Sequence, residues 1–110
     1  MNKELGALGL AMRAGKLSVG TEAVLEQVRK KNVCVVITAF DASNPTKKRL
    51  TDKCAFYGCK LEISPYSVGA LGAAFGKSGV ACVAVTDKNF YISYNKAKTN
   101  REVAINGDNK

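Results

Sequence analysis

Val33-Cys34-Val35-Val36-Ile37-Thr38-Ala39 carries no charge and is rich in β-branched side chains. Successive residues of a strand face opposite sides of a sheet. A strand that is apolar throughout is therefore buried on both faces, the signature of a central strand covered by helices above and below. Further along, Val80-Ala81-Cys82-Val83-Ala84-Val85 is a second unbroken apolar run. Lys60-Leu61-Glu62-Ile63 instead alternates, as a short strand nearer a sheet edge does.

The segments between these runs read as helices. Leu5, Leu8 and Met12 share one helical face over residues 3–14, and Gly15 is the expected stop. Gly20 or Thr21 caps the next helix, whose apolar face is Val24, Leu25 and Val28 and whose last turn carries Arg29, Lys30 and Lys31. Asn44 as cap and Pro45 at the first position open a third helix, with an inner stripe of Leu50, Cys54 and Tyr57 and an end at Gly58. Ser64-Pro65 is read as the start of a fourth, with Val68, Leu71 and Phe75 inward and Gly76 at its close. Phe90 to Tyr94 fits a strand or a short terminal helix equally well. Residues 96–110 are polar and aperiodic, and are expected to be a mobile tail after a single domain spanning 1–95. Helices alternating with strands predict an α/β fold, a three-layer α/β/α sandwich around a small mixed sheet, with right-handed crossovers placing helices on both faces.

Composition narrows the chemistry. The chain has 110 residues, 17 Lys+Arg against 9 Asp+Glu, and a net charge of +8. A surplus of that size favours nucleic acid or an anionic membrane surface, with a nucleic-acid backbone considered first. There is no histidine, so serine–histidine and cysteine–histidine nucleophile systems are excluded. Asp41, Asp52 and Asp87 lie far apart in sequence and suggest no catalytic pair. Cys34 and Cys82 sit inside apolar runs, and Cys54 and Cys59 lack the spacing of a redox pair or zinc knuckle. Neither a metal nor a cofactor is expected. Free thiols, no convincing signal peptide and no membrane-length apolar run point to the cytoplasm.

Three stretches suit anion binding. In Lys16-Leu17-Ser18-Val19-Gly20-Thr21-Glu22 a glycine turn leads into a helix, whose first N–H groups and positive dipole end attract phosphate. Lys47-Lys48-Arg49 places cations at the start of a helix, against the dipole, which an anion would offset. Gly76-Lys77-Ser78-Gly79-Val80 is a glycine loop leading into a strand, with Lys77 and an exposed Val80 expected to press against RNA. It is no nucleotide-triphosphate loop, because such a loop leads into a helix.

These pieces recur together in one family. Gly15-Lys16-Leu17 with Gly20-Thr21, Asp41-Ala42-Ser43 with Thr46-Lys47-Lys48, Asp52-Lys53-Cys54, Tyr57-Gly58, Leu71-Gly72, Gly76-Lys77 and Val83-Ala84-Val85-Thr86-Asp87 occur in order over about residues 4–92. The chain resembles the bacterial YlxQ-type branch of the kink-turn-binding ribosomal protein superfamily, which includes the archaeal large-subunit protein L-seven-Ae. The resemblance implies an α/β/α sandwich that binds RNA kink-turns, sharply bent duplexes with tandem sheared G·A pairs. By position, the RNA grip falls on Ser18, Val19, Gly20, Thr21 and Glu22, with contributions near Asn44, Lys47 and Lys48. An apolar loop contact falls on Lys77, Ser78, Gly79 and Val80. The best-known binders follow Gly-Thr with Asn-Glu and a lysine one turn later; this chain has Glu22, Ala23 and Glu26 there. Phe40 stands where the YlxQ branch usually has an acid. The resemblance therefore implies a non-catalytic binder of structured RNA, with no DNA or membrane partner expected and a monomer favoured, that relies on shape and phosphate more than on a base code. The alternative is a protein-interaction module of the transcription or translation machinery.

Overall fold

The computed structural model describes the backbone of residues 3–107 and the side chains of residues 3–99. The elements in chain order are α1 (Lys3–Arg13), β1 (Leu17–Val19), α2 (Thr21–Arg29), β2 (Val35–Thr38), α3 (Asn44–Tyr57), β3 (Leu61–Ile63), α4 (Val68–Ala74), β4 (Cys82–Val85) and α5 (Lys88–Gly107). The four strands form one mixed sheet in the order β1-β4-β2-β3. β4 is antiparallel to both of its neighbours, and β2 and β3 are parallel. The two unbroken apolar runs are thus the two central strands, and every residue of β2 and β4 is buried.

Alternation along those strands sorts the core into two halves. Val35, Ile37, Val83 and Val85 face a cluster completed by Leu8, Leu71, Phe75 and Tyr94, from α1, α4, the turn after α4, and α5. Val36, Cys82 and Ala84 face the other cluster, completed by Val24, Leu25, Val28, Leu50 and Cys54 from α2 and α3. The sheet is therefore the middle of three layers, as expected. The two crossovers, β1–α2–β2 and β2–α3–β3, progress across the sheet in the same direction, so right-handedness puts both helices on one face. The opposite face is covered by α1, α4 and α5.

Several boundaries differ from the sequence reading. β1 was not expected; Leu17-Ser18-Val19 pairs with Val85, Ala84 and Val83, so the turn between the first two helices contains a strand. The cap of α3 is Ser43, one residue before Asn44; its hydroxyl accepts from the Thr46 N–H at 3.3 Å. The fourth helix starts at Val68, not at Ser64-Pro65, because Ser67 accepts from the Ala70 N–H at 2.9 Å. The open choice at Phe90 to Tyr94 resolves as helix. Asp87 accepts from the N–H groups of Asn89 and Phe90 at 2.8 and 3.3 Å and so starts α5. That helix continues through most of the stretch expected to be a tail, as far as Gly107. The physical reason is propagation: once Tyr94 is anchored in the core, no glycine or proline interrupts the helix before Gly107. Residues 108–110 lie outside the described residues.

Candidate nucleic-acid interface

The strand directions decide which loops meet. Val19, Thr38, Ile63 and Cys82 lie at one end of the sheet, and Leu17, Val35, Leu61 and Val85 at the other. At the first end, called here the Gly20 end, β1, β2 and β3 finish and α2, α3 and α4 begin. The loop before β4 returns to the same end: the Val80 N–H donates to the Val68 carbonyl at 3.1 Å and the Ala39 N–H to the Ala81 carbonyl at 2.8 Å. Gly20, Lys47 and Gly79 are therefore at one end of the sheet, with α3 on one face and the Gly79 loop beside α4 on the other.

Gly20 has φ 96° and ψ 156°, a conformation that side chains strongly disfavour. Its N–H donates to the Cys82 carbonyl at 2.9 Å, tying the start of α2 to the central strand. Being glycine, it offers no side-chain cap, and none closes α2. In α3, α4 and α5 a Ser or Asp side chain fills that role. Of the four helices that follow strands or loops within the described residues, α2 alone presents its first N–H groups, on Thr21, Glu22 and Ala23, without a side-chain acceptor.

Glu22 does not point freely outward. Arg49, one turn into α3, holds it in a two-pronged contact of 2.6 and 3.3 Å. That hydrogen bond and charge keep the Glu22 carboxyl below its ordinary range and raise the Arg49 guanidinium above its own. The pair is exposed, so its role is to fix orientation more than to stabilise the fold. Lys48 pairs with Asp52 at 3.1 Å. Lys47 has no carboxylate within 4 Å among the described residues and is half-buried in the first turn of α3. Asn44 lies exposed at the opening of that helix.

Three sequence expectations change. Lys16 is not beside Gly20; β1 intervenes and puts Lys16 at the opposite end, where its carbonyl accepts from the Thr86 N–H at 3.0 Å. Ser18 is a ladder residue opposite Ala84, not a member of a loop, and Val19 packs against the core. Val80 is only 2 % exposed and belongs to the core, so the apolar part of the loop faces inward. What remains outward in that loop is Lys77, Ser78 and Gly79. Its path is set by Gly72 of α4, where a Cβ would meet the Gly79 Cα and N and the Lys77 carbonyl at 2.8 Å.

The apolar surface at this end comes from elsewhere. Phe40, just beyond β2, is 50 % exposed. Its N–H donates to the Tyr66 carbonyl at 3.1 Å, and the next residue, Asp41, accepts from the Val68 N–H at 2.7 Å. The sequence marked Phe40 only as a departure from a family pattern; its exposure follows from where β2 stops.

The two buried cysteines offer no competing chemistry. Burial pushes the Cys54 thiol up to about 12 and the Cys82 thiol up to about 11, so both stay protonated at neutral pH. Among the described residues no group of His, Cys, Asp and Glu is arranged to hold a metal, and no helix is long and apolar enough to cross a membrane.

A three-layer α/β/α sandwich around a mixed sheet is the architecture that the family resemblance implied. The chain belongs to the Ribosomal protein L7Ae/L30e/S12e/Gadd45 family, which it matches over residues 3–93. Within it, the chain is similar to the RNA-binding protein YlxQ of Bacillus subtilis (strain 168), with 39% identity over 83 residues, 76% of this chain and 82% of that protein. It is also similar to the RNA-binding protein YlxQ of Enterococcus faecium, 44% identical over 55 residues, or 50% of this chain and 53% of that one. A solved structure of a protein with unknown function from Bacillus halodurans C superposes with a TM-score of 0.78 at 35% identity, covering 88% of this chain and 97% of that chain.

Proposed function

We propose that this chain is a non-catalytic, cytoplasmic RNA-binding protein that grips a kink-turn or similarly bent RNA at the Gly20 end and serves the ribosome or the transcription and translation machinery. The uncapped start of α2 carries this reading. Its N–H groups on Thr21, Glu22 and Ala23 are fixed donors, and the helix dipole adds partial positive charge. Beside them stands the Glu22 carboxylate, an acceptor-only group suited to base amino protons and aimed by Arg49. Lys47 and Lys77 supply phosphate contacts. Phe40 supplies a ring on which an unstacked base can rest. Ala23 has no hydrogen-bonding side chain, so recognition rests on bent shape and backbone. By selecting the kinked conformer the protein shifts the RNA population towards it.

Titration of the chain with a kink-turn RNA and with a control whose G·A pairs are disrupted tests the proposal. Tighter binding to the kink-turn is expected, and equal affinity for the two would overturn the specific reading. Lys47→Ala should weaken binding across RNA sequences and lower the salt slope by about one unit. The alternative, a protein-interaction module with weak or lost RNA binding, rests on Ala23 and Glu26 in place of base-reading side chains and draws on the Glu22–Arg49 pair occupying the site. Co-purification with a protein partner that survives nuclease treatment would favour it.

A further inference from the structure

The opposite end of the sheet carries more unbalanced charge than the Gly20 end. There α1, α2 and α3 finish and α5 begins, and the intervening residues include Arg13, Lys16, Lys30, Lys31, Lys60 and Lys88. Backbone bonds hold this set at one sheet edge: Thr86 N–H to the Lys16 carbonyl, Cys34 N–H to Val85, and Val36 N–H to Lys60, all at 2.8–3.0 Å. Lys30 is paired with Glu26 at 3.6 Å, and Lys60 leans on Tyr91 and Glu62. Arg13, Lys16, Lys31 and Lys88 are exposed, with no carboxylate within 4 Å among the described residues. A third acid, Asp87, is occupied by the first N–H groups of α5.

A purely structural account covers part of this set. Arg13 and Lys30–Lys31 follow helix ends, where cations offset the negative dipole, about half a charge per helix. Lys16 also closes a helix end, its N–H donating to the Ala11 carbonyl of α1 at 2.8 Å, whereas Lys88 has no such reason. Lys88 is the first residue of α5, where a cation opposes the dipole. With Lys30 and Lys60 paired to Glu26 and Glu62, three helix ends and the occupied Asp87 fall short of neutralising the other four cations.

We infer that the Lys16 end is a second, sequence-independent phosphate-binding surface, which takes the backbone of an RNA segment separate from the one at the Gly20 end. It rests on the RNA reading above. Arg13, Lys16, Lys31 and Lys88 act as point charges towards phosphate oxygens, with no base contact and strong salt dependence. The two ends are separated by the length of α3, 14 residues or about 21 Å at 1.5 Å per residue, so one chain can join two RNA segments.

The test uses the full chain, a donor-labelled kink-turn RNA and an acceptor-labelled short plain RNA duplex at about 50 mM salt, where phosphate contacts are strong. Energy transfer between the two RNAs is expected only when protein is present. The variant combining Arg13→Gln, Lys16→Gln, Lys31→Gln and Lys88→Gln should keep its kink-turn affinity within about threefold. It should lose plain-duplex affinity by about tenfold or more, with a salt slope lower by about 2–4 units. No transfer with the wild-type chain, or transfer unchanged in the variant, would overturn the inference. Failure of the functional reading looks different: the kink-turn and its G·A-disrupted control would bind alike, while the four substitutions still abolished plain-duplex capture. Binding of phosphatidylserine–phosphatidylcholine vesicles by the wild-type chain without capture of a second RNA would overturn it in favour of a membrane surface.

Discussion

At the Gly20 end of the sheet three helices begin, and at the Lys16 end three helices finish. The first end has directional donors: backbone N–H groups on a fixed turn, a carboxylate aimed by Arg49, and one exposed ring at Phe40. The second has point charges on flexible stems, with a paired or occupied carboxylate wherever an acid occurs. Donors locked to a backbone can distinguish one RNA shape from another. Lysine ammonium groups at the ends of four-carbon chains register charge density and little else. Net charge alone, +8 over the whole chain, does not show this division.

The sharpest way to break the comparison is to damage one end through the fold. Gly72→Ala places a methyl against the backbone of Gly79 and Lys77 at 2.8 Å, contacts that no rotamer can relieve. Thermal or denaturant unfolding should show a loss at the upper end of about 1–3 kcal/mol. The displaced loop should weaken kink-turn binding and leave plain-duplex binding at the Lys16 end intact. If both binding activities fall together, the ends are not independent.

Gly20→Ala comes next. Nothing lies within 4 Å of the new Cβ, so the cost is conformational, towards the lower end of about 1–3 kcal/mol. Calorimetric RNA titration should show selectivity between kink-turn and control falling more than total affinity does. A uniform loss would mean that the α2 turn contributes charge and not shape.

The buried thiols give a pH signature common to both ends. In the fold Cys54 and Cys82 are raised by burial to about 12 and about 11, from an ordinary 9.0. The native state therefore holds protons that the unfolded chain releases. Their contribution to stability is complete below pH 9 and is lost as pH rises through 11 to 12. Unfolding midpoints measured across that window should fall, and Cys54→Ala should flatten the fall.

The smallest stability effect is expected for Arg49→Gln. The Glu22 pair is exposed, so unfolding should hardly shift. Kink-turn affinity should fall more than stability does, because Glu22 loses the group that aims it. In wild type the pair weakens as pH falls through the lowered Glu22 pKa, below the usual carboxylate range. The selectivity loss of Arg49→Gln should therefore shrink in acid.

Much of this molecule was legible as a string of residues. Two apolar runs without alternation announced central strands, and β2 and β4 occupy the centre of the sheet. The Gly15, Gly58 and Gly76 punctuation coincides with left-handed backbone at each. Less legible were features with no local signature. β1 is three residues long and exists because β4 offers it a ladder. The caps at Ser43 and Ser67 each compete with a nearby Asn-Pro or Ser-Pro reading that looks equally good in sequence. The long α5 is polar and nearly without a periodic stripe, so only its anchorage at Tyr94 identifies it.

Sequence by itself determined the layered α/β class, the family, the absence of histidine chemistry and the cationic surplus, because each depends on residue type and order. Only the tertiary structure decided where that surplus lies. A single three-residue strand moved Lys16 from beside Gly20 to the far end of the sheet, and close packing against α4 drew Val80 inward. The pairing of Glu22 with Arg49, 27 positions apart, is likewise a property of two helices on one face. Charge and donors are inherited from the chain. Their division between two ends comes from strand direction, which a string of residues does not contain.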